Sequence, residues 1–396
     1  MIQEFKVRNY LSFKDETSFS FLASNDSFSE DCQVVRMANG TRLLRLAIVY
    51  GFNASGKTNL LKAINFLIDF CLRPHTSVDE PTGAVPFKLE DSAKSKPSSF
   101  ELVFFAHDMK YSYVLELDEK QVYYEKLSCY KSVQPTLLFE RTIENGQSVI
   151  YFNPGADKIS PAVKEQITIN CLRNVSVFVA RSKVNTSLPL IDGAMEWFGK
   201  YTMPMIYPST KLTSFAQEET MTGASLKEQL IGFLRDADFN ITNVRTENGE
   251  TSKKNTFFEH TVERDGRAEK YYMKQDEESI GTIRTFGLET AIIIAQKEGA
   301  FLPVDELETS LHPKLQERIL FDYLQTSSRS QIIATTHNDG LLDLTDDLIR
   351  KDSVWFTEKD NTGATELYRL SDFRGLNRLS SIRDAYRNKR FGATMK

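Results

Sequence analysis

The chain has 396 residues, 41% of them hydrophobic, and carries a net charge of −5 with a pI near 5.7, which suits one large α/β domain or two modest ones. The acidic balance excludes nucleic-acid binding through overall charge, and four widely spaced cysteines exclude a zinc or disulfide framework. No apolar run reaches the roughly 18 residues of a membrane span and no signal peptide opens the chain, so a cytoplasmic protein without a membrane contact is expected.

The first part of the chain is predicted to surround a glycine-rich loop with strands and a helix. Alternating polarity around Phe5 and Phe19 indicates two short strands that form a hairpin at a sheet edge. The apolar run 43–50 predicts a strand buried on both faces, which ends at Gly51. Helical spacing of apolar residues then continues until Pro74. Strand, glycine loop and helix together form the context of a phosphate-binding loop.

The loop itself fits the pattern G-x-x-x-x-G-K-[ST] over residues 51–58. Its glycines let backbone N–H groups wrap phosphates at a helix N-terminus, where Lys57 neutralises charge and Thr58 holds Mg²⁺. The alternative is a glycine turn that only caps a helix, and the preceding buried strand argues against it. The predicted nucleotide-binding residues are Gly51, Asn53, Ala54, Ser55, Gly56, Lys57, Thr58 and Asn59.

The middle of the chain is predicted to hold an exposed loop over 75–98, an antiparallel lobe and an inserted helical region. The lobe has one face in water, and its strands are expected at 100–106, 111–117, 121–124 and 137–141. Helical patterns follow from Ser160, a cap, to Asp238, with Ser225 before a second amphipathic helix. A hairpin is expected around Asp265 and Gly266.

The last third alternates helices and strands, and polar residues follow several of them. Helices are predicted over 281–298 and 313–324, and strands over 301–304 and 331–335. Asp305 and Glu306 end the first strand, where the aspartate can support a metal ion and the glutamate can face an attacking water. Any strand can end in acidic residues, and Pro303 argues against an ideal central strand. The order relative to the glycine loop favours the catalytic interpretation.

Two further elements complete the set. His337 follows the second strand, where it can reach a γ-phosphate, although a histidine at a strand end is often structural. Ser279 and Gly281 lie at the start of a helix, where they form either a second anion site or a simple N-cap. The order of glycine loop, serine-glycine turn, acidic pair and histidine is more informative than any single member.

This ordered set resembles the ABC-type ATPases of the RecF/SMC/OLD group. The resemblance implies ATP and Mg²⁺ as cofactors, with Thr58 and Asp305 on the metal and Glu306, Lys57 and His337 as catalytic residues. It also implies that Ser279 and Gly281 form a signature loop that touches the γ-phosphate held by another copy. Residues 308–313 look like the D-loop of RecF-like members. A head-to-tail homodimer is therefore expected, with a higher oligomer left open.

A closer likeness is to the compact ATPases of bacterial abortive-infection operons, the RloA/AbiL type. It lies in residues 2–13, 111–113, 125–127 and 386–393. It implies a sensor or switch in anti-phage defence that controls a separate effector, a nuclease being the expected kind. The segment after His337 is too short for the nuclease domain that OLD-type relatives carry there. No glutamine falls between Gln33 and Gln121, so no Q-loop residue is assigned.

Two alternatives stay open. A RecF/SMC-like ATPase of DNA repair or maintenance would contact DNA through the basic C-terminal segment, whose competing interpretation is a solvated helix docked on the core. A nucleotide-gated scaffold would bind ATP with little turnover. The expected fold is an ABC-ATPase head of the P-loop class with an antiparallel β lobe and an inserted helical region. Its predicted divisions are 1–155 and 241–370 for the two halves of the head, 156–240 for the helical region and 371–396 for the basic tail.

Overall fold

The computed structural model describes residues 1–237, 239–248 and 254–394. Three parts of the predicted segments lie outside these residues: Asp238 at the end of the helical pattern, 249–253, and 395–396 of the basic tail. Of the helices described, none combines the length and the hydrophobicity that crossing a membrane requires.

The elements before residue 157 comprise ten strands and three helices, namely β1 (Ile2–Arg8), β2 (Thr17–Ser20), α1 (Glu30–Gln33), β3 (Val34–Arg36), β4 (Arg42–Leu44), β5 (Leu46–Tyr50), α2 (Lys57–Leu72), α3 (Asp91–Lys94), β6 (Ser98–Ala106), β7 (Met109–Leu117), β8 (Val122–Tyr130), β9 (Thr136–Glu144) and β10 (Gln147–Phe152). Helices then dominate up to residue 236, namely α4 (Pro161–Asn170), α5 (Val177–Ser182), α6 (Pro189–Lys200), α7 (Thr213–Thr222) and α8 (Ala224–Asp236). The remaining elements are β11 (Ile241–Asn248), β12 (Lys254–Arg264), β13 (Arg267–Lys274), α9 (Ile280–Glu298), β14 (Phe301–Val304), α10 (Pro313–Gln325), β15 (Gln331–Thr335), β16 (Val354–Lys359), β17 (Thr365–Arg369) and α11 (Ile382–Arg387).

The central sheet has five strands in the order β14-β15-β5-β16-β17. Its first four strands run parallel, and only β17 is antiparallel. Every residue of β5, β14 and β15 is buried, which explains their continuous apolar sequences. Since the carboxyl ends of parallel strands meet at one edge, the residues that follow β5, β14 and β15 converge there.

A short irregular segment, 202–206, runs alongside the outer strand β14. The Met203 amide donates to the Phe301 carbonyl at 2.9 Å, and the Ile206 amide donates to the Pro303 carbonyl at 2.9 Å. The Asp305 amide in turn donates to the Ile206 carbonyl at 2.8 Å. Pro303 therefore lies in the outermost named strand, where a missing N–H is tolerated. The segment also ties the chain that leaves the helical region to the first residue of the acidic pair.

A seven-stranded antiparallel sheet, in the order β10-β9-β8-β7-β6-β1-β2, forms the lobe. Helix α2 packs between this sheet and the central one, because the same core contains Leu61 and Leu67 of α2, Phe5 of β1 and Val49 of β5. The sequence missed β10. The prediction of an exposed loop over 75–98 was wrong in part, since Phe87 is buried.

The apolar run 43–50 forms two strands rather than the single one predicted. The break falls at Arg45, whose side chain is 1% exposed. Its terminal nitrogens donate to the carbonyls of Cys32 at 2.9 Å and Tyr323 at 3.1 Å, so backbone acceptors stabilise the buried charge. β4 consequently pairs with β3, whereas β5 enters the central sheet.

A second core joins α7 and α8 to the central sheet and α9, whereas α4, α5 and α6 pack in the first core with the antiparallel sheet. Leu226 and Leu230 of α8 are buried in the second core, as the amphipathic pattern predicts. Ser225, however, does not precede this helix but lies inside it, because α8 begins at Ala224. Ser160 caps α4 as predicted, accepting a hydrogen bond from the Val163 amide.

The strands β11, β12 and β13 form a separate three-stranded sheet. The turn between β12 and β13 has φ of 49° at Asp265 and 72° at Gly266, and positive φ at both central residues is the geometry of a tight hairpin. This prediction is confirmed. All four cysteines carry free thiols, as the sequence indicated.

Candidate functional site

The glycine loop lies between the end of β5 and the start of α2. A Cβ at Gly56, whose φ is 114°, would collide with the side chain of Thr365, and a Cβ at Gly51 would collide with Thr357. Glycine is therefore required at both positions. The loop is anchored by a 2.6 Å hydrogen bond between the hydroxyls of Ser55 and Thr357. The strands β16 and β17, which carry these two threonines, thus shape the loop.

The outer part of the loop faces solvent. Phe52, Asn53 and Ala54 are exposed, and Ala54 adopts φ of 63°, an uncommon conformation for a residue with a side chain. Asn59, one turn into α2, donates to the Ser12 hydroxyl at 2.8 Å. Asn59 is therefore held by Ser12, which lies between β1 and β2 of the antiparallel lobe.

Lys57 is buried at the first position of α2 and folds back over the loop. Its ammonium donates to the carbonyls of Gly51 at 2.7 Å and Phe52 at 3.2 Å. Burial lowers the pKa of Lys57 to about 8, although the carboxylates of Glu308, Asp305 and Glu306 act in the opposite direction. An anion would stabilise the charged form of this buried amine, so Lys57 is well placed to bind phosphate.

The acidic pair meets the loop at the carboxyl edge of the sheet. The Thr58 hydroxyl donates to the two carboxylate oxygens of Asp305 at 3.0 and 3.1 Å. The Thr335 hydroxyl, from the end of β15, donates to the same carboxylate at 2.7 Å. A hydroxyl and a carboxylate in contact are hard oxygen ligands of the kind that Mg²⁺ takes together with substrate phosphates. These residues fit a magnesium site.

Glu306 has a strained backbone with φ of 49°, and its amide donates to the Thr335 hydroxyl at 2.8 Å. Thr335 therefore holds both acidic residues, a role that the sequence did not reveal. Only the position of Thr335 could have indicated this role. It ends β15, the neighbour of β14, and so lies next to the residues that follow β14.

His337 follows β15 at the same edge, with its side chain exposed. Its backbone amide donates to the Glu308 carboxylate at 2.7 Å. The structure thus brings the glycine loop, Asp305, Glu306 and the His337 loop to one edge of the central sheet.

Ser279 and Gly281 lie at a different pocket. Ser279 caps α9, accepting from the Thr282 amide at 3.0 Å, and a Cβ at Gly281 would approach the Ser310 carbonyl to 3.1 Å. With Ser310 and Lys314 they line a pocket of about 560 Å³. The pocket of about 360 Å³ beside Phe52 and Asn53 shares none of its lining residues with it.

The segment 202–206, which joins the strand of the acidic pair to the helical region, contains no glutamine. It occupies a position between the metal-site strand and the accessory elements, which is the connection a Q-loop residue serves. No Q-loop residue is assigned.

The basic C-terminal segment packs against the chain that follows His337. Arg383 donates to Asp339 at 3.1 Å and to Asp343 at 2.7 Å, and Arg387 donates to Asp339 at 2.6 Å. Ile382 is buried in the second core. The docked interpretation therefore holds for Arg383 and Arg387.

The fold and the loop define the class of protein. A buried parallel strand, a glycine loop that requires glycine at two positions and a helix that begins with lysine and threonine form the phosphate-loop unit of an NTPase head. The predicted α/β fold with its antiparallel lobe and helical region is confirmed.

The chain belongs to a particular family within this class. A family model described as "AAA domain, putative AbiEii toxin, Type IV TA system" matches residues 46–157 and 207–343, which together exceed half of the chain. The break between the two matches coincides with helices α4 to α6. The resemblance to ATPases of the abortive-infection type, inferred from the motifs, is thus confirmed at the level of the family.

Two solved structures with similar overall shape are heads of SMC proteins. The SMC head domain from Thermotoga maritima is 13% identical, with a TM-score of 0.45, 93% of this chain covered and 98% of that chain. The SMC head bound to the C-terminal winged-helix domain of ScpA is 14% identical, with a TM-score of 0.49 and coverages of 94% and 99%. No match is found among curated proteins. The family assignment therefore depends on the family model.

Proposed function

We propose that the chain is a Mg²⁺-dependent ATPase that closes into a head-to-tail homodimer and acts as a switch in bacterial anti-phage defence. The observation that carries this proposal is the division of the predicted site between two pockets of one chain. Glycine-loop residues 52–55 line one pocket, and Ser279 and Gly281 line another, with no lining residue in common. A site that needs both requires a second copy.

The phosphate chemistry is assigned to the loop residues. Backbone N–H groups of 53–58 receive the phosphates, and Lys57 exchanges its two carbonyl acceptors for phosphate oxygens. Thr58 and Asp305, already in contact, hold Mg²⁺, which when bound neutralises phosphate charge. Ala54, Ser55 and Asn59 shape the loop around the nucleotide.

Hydrolysis is assigned to Glu306 and His337. Glu306 orients an attacking water and accepts its proton, and its strained backbone fixes the direction in which the carboxylate points. His337 contacts the γ-phosphate from the side opposite Lys57. Ser279 and Gly281 of the other copy then close on the same phosphate, using the free N–H groups at the start of α9.

The switch follows from what the two copies share. ATP bridges both copies, whereas loss of the γ-phosphate removes the group that both contact, so the closed dimer favours ATP over ADP. The family description names a toxin and a toxin-antitoxin system, which supports an abortive-infection role. A separate effector protein, encoded in the same operon, is the proposed output.

The alternative is DNA repair or maintenance. Arg374, Arg378, Lys389 and Arg390 are exposed in the C-terminal segment, and none of them forms an ion pair within the described part of the chain. They are the residues that would contact DNA phosphates.

Two experiments distinguish the two functions. In the first, the tagged protein is affinity-purified from cells that carry its whole operon, with and without phage. In the second, its affinity for duplex DNA is measured at several salt concentrations. The defence switch predicts an operon-encoded protein retained with wild type in a nucleotide-dependent manner. DNA affinity that falls steeply with salt and is lost on Arg374→Ala and Arg378→Ala, with no operon protein retained, would favour the alternative.

A further inference from the structure

A buried arginine lies one turn beyond the signature residues, without a negative partner. Arg284 of α9 is 8% exposed, and its Nε has no hydrogen-bond partner among the residues that the structure describes. Its terminal nitrogens reach only the carbonyls of Tyr207 and Thr210, each at 3.4 Å. Burial lowers the pKa of Arg284, which reflects the cost of charge in this environment. A buried cation of this kind is stabilised by an anion.

The surroundings of Arg284 do not supply that anion from within the chain. Asp276 and Glu278 line the same pocket, but neither forms an ion pair with Arg284 in the described structure. Glu278 is instead hydrogen-bonded to His260 at 2.6 Å. Lys211, another lining residue, adds positive charge. Arg284 therefore borders a pocket with two acidic and two basic lining residues, and it forms no ion pair within the described part of the chain.

The pocket is open and its walls are fixed. It has a volume of about 400 Å³ and is lined by residues of the 208–213 loop, by Ile280 and by Ser310. A Cβ at Gly287 would collide with Leu212, so this loop is packed tightly on α9. The side chain of Arg284 therefore borders a preformed cavity rather than a gap that the loop can close.

The position of the pocket indicates where the anion comes from. Ile280, which lies between Ser279 and Gly281, is 77% exposed, and Ser310 lines both this pocket and the signature pocket. The two pockets thus open on one surface. In the head-to-tail arrangement this surface faces the glycine-loop side of another copy, where Glu358 and Asp360 line the pocket beside Phe52. Glu358 and Asp360 are two of the three charged residues of that pocket, and their carboxylates are the groups that a guanidinium can pair with.

We propose that Arg284 binds a carboxylate of a second copy when the ATP-bound dimer closes, an inference that rests on the proposed head-to-tail dimer. The interaction neutralises the buried guanidinium only in the closed state. It therefore contributes to dimer affinity, and it does not contribute to the affinity of one copy for ATP.

The test compares wild type with Arg284→Met and Arg284→Lys in sedimentation experiments with a non-hydrolysable ATP analogue and Mg²⁺. Methionine fills the volume without the charge. We expect Arg284→Met to raise the dimer Kd by roughly 30-fold or more, because one partner of a buried charge pair is lost, with Arg284→Lys in between. The Kd of the monomer for the analogue and the unfolding temperature should remain near the wild-type values. Arg329→Met, whose partner Asp108 is exposed, serves as the matched control and should dimerise normally.

Three outcomes would overturn the inference. If wild type dimerises and Arg284→Met dimerises equally well but unfolds at a lower temperature, Arg284 only holds the 208–213 loop. If inorganic phosphate raises the unfolding temperature of nucleotide-free wild type but not of Arg284→Met, the ligand is a free anion rather than a second copy. If wild type itself fails to dimerise with the analogue, the proposed composite site fails, and this inference fails with it.

Discussion

The glycine-loop side and the signature side of this chain are built in different ways. On the first, the Thr58 and Thr335 hydroxyls donate to Asp305, and Lys57 donates to the Gly51 carbonyl, so the proposed phosphate and metal ligands are positioned before any ligand binds. On the second, Ser279 only caps its own helix, beside the exposed side chain of Ile280.

This difference has a functional meaning. Binding to a preorganised set of ligands requires little ordering of the protein, so a single copy is expected to bind the nucleotide without its partner. The N-terminus of α9 and the exposed Ile280 have no such contacts within the described part of one copy. Hydrolysis is therefore expected to require two copies. The following experiments separate these two properties.

The largest effect is expected from Glu306→Gln. Loss of the proposed general base should lower steady-state phosphate release by roughly 10²- to 10⁴-fold while ATP still binds, so that a stable dimer accumulates. Phosphate release and sedimentation with ATP measure both properties. Lys57→Ala is the contrasting variant, because it should lose nucleotide binding itself. Equal turnover of the two variants and wild type would remove the proposed site.

A mixture of two inactive variants tests whether one site draws on two copies. Ser279→Arg should block the signature side, and Lys57→Ala should disable the loop side, so each protein alone should be nearly inactive. After random pairing, half of the dimers would contain one intact composite site, which predicts recovery of roughly one quarter of wild-type turnover. No recovery on mixing, with both variants folded and able to associate, would place the whole site in one copy.

The pKa of Lys57, about 8 in the free protein, makes ATP binding dependent on pH. Phosphate binds the protonated amine and raises its pKa, so the affinity for ATP should be nearly constant below about pH 7 and decline as the pH rises through 8. At pH 9 the Kd for ATP should be roughly tenfold weaker than at pH 7, with proton uptake on binding. Calorimetry in buffers of different ionisation enthalpy measures this uptake. Binding without proton uptake at pH 9 would contradict the assignment to Lys57.

A separate effect concerns the stability of the fold, through a buried carboxyl group of α9. Burial raises the pKa of Glu289 in α9 from 4.5 to about 8, and within the described part of the chain its Oε2 has no hydrogen-bond partner. The folded state therefore holds this proton more tightly than the unfolded state, and stability should fall by about 1.4 kcal/mol per pH unit between these values.

Glu289→Leu should remove this loss, so its unfolding temperature should exceed that of wild type by more at pH 8 than at pH 5. The exposed Glu298, on the same helix, provides Glu298→Leu as the control. The same difference at both pH values would show that Glu289 is not protonated by burial.

The sequence predicted much of the fold because local patterns determine it. The glycine loop, the hairpin at Asp265 and Gly266 and the strand that ends at Asp305 all follow from residues adjacent in the chain. Arg45 shows the limit, because an arginine inside an apolar run is compatible with a strand until its carbonyl acceptors, from Cys32 and Tyr323, are known. Those acceptors are distant in sequence.

The site was predictable to a similar extent. Residues that carry chemistry stand in motifs, whereas residues that hold them do not. Thr335 positions both acidic residues through one hydroxyl, and Thr357 and Thr365 restrict the loop, yet each is an ordinary strand threonine in the sequence. Their roles depend on which strands are neighbours, and strand order is not encoded locally.

The segment 202–206 covers the outer edge of the strand that leads to Asp305. A chain trimmed of its helical region would lose this cover and present unpaired backbone groups along β14, a surface that recruits other strands. Minimal versions of the protein should therefore retain these residues, and helices α4 to α6 can be shortened only if the chain still returns along that edge.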